Sequence, residues 1–65
     1  MNFAEKIRDA RVRRGYTQKQ LAMSCDLTTR TIQNYELGAR LPKSRDTYRR
    51  LADALGLSES VLRSG

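Results

Sequence analysis

Apolar residues recur along the chain at the spacing of helix turns. Phe3, Ile7 and Ala10 stand at i, i+4 and i+7, which makes one stripe along a helix. Leu21, Ala22 and Cys25 make a second stripe, and Leu27, Ile32 and Tyr35 tie a turn and a third helix to a common core. Tyr48, Leu51, Ala52 and Leu55 mark a fourth helix, and Val61 with Leu62 a short fifth. No segment alternates apolar and polar positions with the β-branched enrichment of a strand. The pattern therefore predicts an all-α chain of five helices.

The breaks between stripes carry start and stop signals. Asn2 and Glu5 have capping-box spacing, as do Thr17 and Gln20, and Tyr16 can staple onto Leu21 across the second cap. Arg13 and Arg14 suit the last turn of the first helix, and Gly15 suits its left-handed stop. The second helix ends near Cys25, leaving Asp26 in the turn, where Asp tolerates a left-handed backbone better than most residues. The third helix starts at Thr28 or Thr29 and stops at Gly38. A loop with Arg40, Pro42 and Lys43 leads to Ser44, a cap for the fourth helix. Gly56 stops that helix, and Ser58 caps the last.

The third helix has a polar side unlike the others. Ile32, Tyr35 and Glu36 share one face; Arg30, Gln33, Asn34 and Leu37 share the opposite one. Arg, Gln and Asn are the side chains that hydrogen-bond base edges in the major groove. Two short helices, a tight turn, a small residue (Ala22) at their crossing and this outward face meet the requirements of a helix-turn-helix over residues 17–37. The charge agrees: 13 Lys and Arg oppose 7 Asp and Glu, a net +6, and most of the cations are Arg, whose fork matches phosphate and guanine.

The remaining chemistry excludes more than it adds. A chain of 65 residues is expected to form one domain over 1–65, with a small core and no deep substrate cleft. One Cys and no His allow neither a disulfide, a metal site nor a nucleophilic catalytic set, so no enzyme, cofactor or metal is expected. Cys25 is expected to be a buried, inert thiol. No apolar run is long enough to span a membrane, and no signal-peptide core is present, so a cytoplasmic protein is expected.

The chain resembles the Cro/phage-repressor (XRE-type) helix-turn-helix family. The resemblance is carried by Arg11 and Arg14-Gly15-Tyr16-Thr17-Gln18 with Leu21-Ala22, by Leu27, Ile32, Tyr35-Glu36, Gly38 and Pro42, and by Leu51-Ala52 with Ala54-Leu55-Gly56-Leu57. It implies a compact five-helix bundle of the lambda-repressor-like kind, of bacterial or phage origin. It places Thr29 and Arg30, and one turn on Gln33 and Asn34, against bases. It places Thr17 and Gln18, at the start of the second helix, and Arg40 and Lys43, in the loop, against phosphates. It implies an ion pair between Arg11 and Glu36. Asp26 departs from the usual glycine of the turn, and Arg45 stands where an apolar residue is common.

The expected function is sequence-specific binding of double-stranded DNA as a transcriptional regulator, a repressor, acting as a homodimer on a pseudo-palindromic operator. The alternative is a protein-interaction module on the same fold, such as an antitoxin-like or antirepressor partner. Leu57, Val61 and Leu62 are either the dimer surface or part of the monomer core; spacing does not separate the two.

Overall fold

A computed structural model describes residues 1–64. Five helices follow one another: α1 (Phe3–Arg13), α2 (Gln18–Ser24), α3 (Thr29–Leu37), α4 (Arg45–Leu55) and α5 (Glu59–Arg63). Each begins at a side-chain oxygen that accepts a backbone N–H of its first turn: Asn2, Thr17, Thr28, Ser44 and Ser58 in order. The Asn2/Glu5 and Thr17/Gln20 capping boxes are closed in both directions. For α3 the cap is Thr28, not Thr29; the Thr28 hydroxyl accepts the Thr31 N–H at 3.1 Å. Thr29 is thereby the first helical residue, with its side chain not used for capping.

Four helix ends close in the same way. A residue in the left-handed conformation lets the next N–H reach five residues back: Tyr16 to Arg11 (3.1 Å), Leu27 to Ala22 (2.8 Å), Ala39 to Asn34 (3.0 Å) and Leu57 to Ala52 (2.9 Å). Three of the left-handed residues are glycine; the fourth is Asp26, at φ 57°. The turn between α2 and α3 thus has the geometry a glycine would give, built on an Asp.

The core joins all five helices. Ile7, Leu21, Ile32, Leu51 and Leu62 are buried side chains from each helix in turn, each contributing about 1.5–3 kcal/mol of apolar burial. Phe3 lies edge-on to both Tyr35 and Tyr48, with centroids 5.6 Å apart in each case, and so links α1 to α3 and α4. Pro42 is buried under the loop between α3 and α4. Leu62 is closed in the monomer core at 2% exposure, which removes it from any dimer surface, whereas Val61 on the other side of α5 stays 45% exposed. Successive residues of a helix are about 100° apart, and of these two it is Leu62 that turns into the core. No helix of the described residues is long and apolar enough to cross a membrane.

Candidate nucleic-acid interface

Ile32 and Tyr35 pull one side of α3 into the core. The opposite side therefore faces outward, and it carries exposed Arg30, Gln33 and Leu37, with half-buried Thr29 and Asn34 at its margins. Leu37 is 79% exposed, directly in line with Arg30 two turns earlier. The four residues expected to meet bases thus share one outward strip.

A recess lies on each flank of this strip. On the Gln33 side, a recess of about 370 Å³ is bounded by Arg8 and Arg11 of α1 and Gln18 of α2, with Glu36 on its floor. On the Asn34 side, a recess of about 240 Å³ is bounded by Arg40 and Lys43 of the loop and by Thr31 and Thr47. Gln18 and the loop cations, expected against phosphate, stand on opposite sides of α3.

The first recess is organised by the most buried charges of the molecule. Arg11 Nε donates to Glu36 Oε2 at 2.6 Å, and its Nη2 donates to Glu36 Oε1 at 3.0 Å. Its Nη1 donates to the Tyr16 carbonyl at 2.8 Å. The two side chains retain only 14% and 6% exposure. This two-bond fork is the strong geometry for an Arg–carboxylate pair, and it ties α1 to α3. The Gln18 amide donates to the same Glu36 Oε1 at 3.3 Å. Gln18 therefore gives one of its two amide N–H donors to an internal carboxylate and braces the pair from α2. Thr17 caps the same helix: its hydroxyl accepts the Gln20 N–H at 3.0 Å, and its backbone N–H donates to Gln20 Oε1 at 2.8 Å.

Elsewhere the carboxylates neutralise cations away from this face. Asp9 pairs with Arg13, Glu59 with Arg45, and Asp46 with both Arg49 and Arg50. Among the described residues, Lys6, Arg8, Arg14, Lys19, Arg30, Arg40, Lys43 and Arg63 have no carboxylate within 4.0 Å. Three of these, Arg8, Arg40 and Lys43, line the recesses that flank α3, and Arg30 stands on α3 itself. Arg8 stands one turn before Arg11 on the same side of α1, and that spacing is the sequence signal for its place beside α3.

The comparison with curated proteins gave no match. A family model described as a helix-turn-helix domain matches residues 2–64. The match takes in every helix and both flanking recesses, and the chain belongs to this family of XRE-like, DNA-binding helix-turn-helix domains.

Proposed function

We propose that the chain is a sequence-specific, double-stranded DNA-binding transcriptional regulator that inserts α3 into the major groove. The observation that carries this reading is the outward strip of Arg30, Gln33 and Asn34 set between two recesses edged by cations. Arg30 is the guanine reader, through a bidentate contact to O6 and N7; Gln33 or Asn34 reads adenine through its amide. Thr29 contributes a hydroxyl at the helix start, and Leu37 an apolar contact suited to a thymine methyl. Thr17, Gln18, Arg40 and Lys43 approach phosphates, which set register and affinity while the bases set sequence.

The whole unit measures 24 × 21 × 20 Å, less than one DNA turn of about 34 Å. One copy reads a half-site, and a homodimer reads a pseudo-palindrome with half-sites about one turn apart. With Leu62 in the core, Val61 and half-buried Leu57 are what α5 and its approach offer a second copy. Repression follows from occupancy, because bound protein excludes other proteins from the same DNA.

Selection of bound duplexes from a random library, with Arg30→Ala in parallel, tests the reading. The expected result is an enriched pseudo-palindrome whose guanine preference flattens in the variant, a loss of about 1–3 kcal/mol of discrimination at that position. Weak binding without enrichment would favour the protein-interaction module instead.

A further inference from the structure

Two arginines of α1 face the recess beside Gln33, and only one is spent internally. Arg11 is held by Glu36 and the Tyr16 carbonyl. Arg8 lies at the open edge of the same recess, exposed and without a carboxylate partner among the described residues. Its neighbours on the helix explain why. Glu5, three residues earlier, accepts the Asn2 N–H at 3.1 Å, and Asp9 faces Arg13 at 3.0 Å. The Gln18 amide points inward to Glu36. The recess thus contains one neutralised pair and one unneutralised cation, with space for an anion beside the outward strip of α3.

On the far flank, Arg40 and Lys43 edge the second recess, again without carboxylate partners. Gln33 marks one flank of α3 and Asn34 the other. The major groove is about 12 Å wide with a phosphate strand along each wall, and a helix with its side chains is about 10–12 Å across. A helix filling the groove therefore presents its two flanks to different strands.

We propose that Arg8 holds a backbone phosphate of one DNA strand in the recess between α1, α2 and α3, while Arg40 and Lys43 hold the opposite strand. This rests on the DNA-binding reading above and adds α1 to the interface. Arg8 acts on affinity and not on base choice, since a phosphate carries no sequence information.

The experiment uses the selected duplex with single neutral methylphosphonate linkages placed along either strand, titrated at several salt concentrations. Wild type is compared with Arg8→Gln, with Arg40→Ala/Lys43→Ala, and with Arg63→Ala. The last removes one charge from exposed α5 and controls for net charge. Arg8→Gln is expected to weaken selected and scrambled duplexes alike, by about tenfold, and to reduce the salt slope by about one. Neutral linkages on one strand, harmful to wild type, become silent in Arg8→Gln; linkages on the other strand become silent in the loop variant. Matching thermal melts for Arg8→Gln and wild type confirm that folding is intact. A salt slope equal to that of Arg63→Ala overturns the assignment, as does silencing of the same strand by both variants. If wild type binds no duplex at all, the DNA-binding reading itself fails, and this inference with it.

Discussion

Asp26 holds φ at 57° in the turn between α2 and α3, a conformation that costs most L-residues about 1–2 kcal/mol. Among the described residues its only ion-pair contact is with Arg50 at 3.7 Å, at 95% exposure, too open to offset much. Asp26→Val is expected to lower stability by about 1–2 kcal/mol, and Asp26→Gly to leave the melting temperature equal or slightly raised. A pair of thermal melts checks this; a Val variant as stable as wild type would mean the turn is not built on this geometry. Arg11 presents the opposite case, a residue whose role is set by burial. Its removal leaves Glu36 charged and enclosed, which costs about 3–5 kcal/mol. A chain of this length holds only about 3–10 kcal/mol in all, so Arg11→Ala is expected to be largely unfolded in mild urea. Replacing both partners, Arg11→Met with Glu36→Leu, is expected to restore most of that stability, as judged by the urea midpoint.

Helix α5 cannot stand alone, since five residues are far below the length at which an isolated helix persists. It is held by the Ser58 cap, by buried Leu62 and by Lys6 of α1, whose ammonium donates to the Val61 carbonyl at 2.7 Å and to the Ser64 carbonyl. These carbonyls lie in the last turn, where helix geometry leaves acceptors unpaired. Lys6→Met is expected to speed amide exchange in α5 while the exchange of α1–α4 stays near wild type. Uniformly faster exchange would place Lys6 in the global fold instead. The same logic describes α3: its cap at Thr28 and its left-handed end at Gly38 make a nine-residue rod, but its angular setting comes from Ile32 and Tyr35 in the core and Glu36 on Arg11.

Across the whole molecule, burial and charge separate to opposite purposes. Cys25 is enclosed between α2 and α4, 1% exposed, with its thiol 3.7 Å from the Arg50 carbonyl. Burial outweighs the nearby Arg50 charge and pushes the thiol pKa from 9.0 to about 11. The folded form therefore holds the proton that the unfolded chain releases near pH 9. This contribution is intact below pH 9 and is lost as pH rises towards about 11. Burial likewise raises the Tyr35 phenol and adds to the same alkaline decline. Cys25→Ala is expected to flatten the fall in stability between these two pH values, measured as urea midpoints against pH. Wild type is expected to resist thiol alkylation until it unfolds.

Local signals in the chain were enough for the helices, because caps and stops act within one turn: Asn2, Thr17, Ser44, Ser58 and the left-handed Gly38 and Gly56 fall where short-range geometry requires them. Helical period also placed Arg30 and Gln33 opposite Ile32. Packing decided what no local rule could. It put Leu62 inside while Val61 stayed out. It turned the Gln18 amide inward onto Glu36 and left Arg8 free at the recess edge. The physical reason is the range of the forces involved. Capping and periodicity are properties of four to eight neighbouring residues, whereas ion-pair partners and the choice of inward side chain depend on residues that meet only after the chain has folded, as Arg11 and Glu36 do across 25 positions.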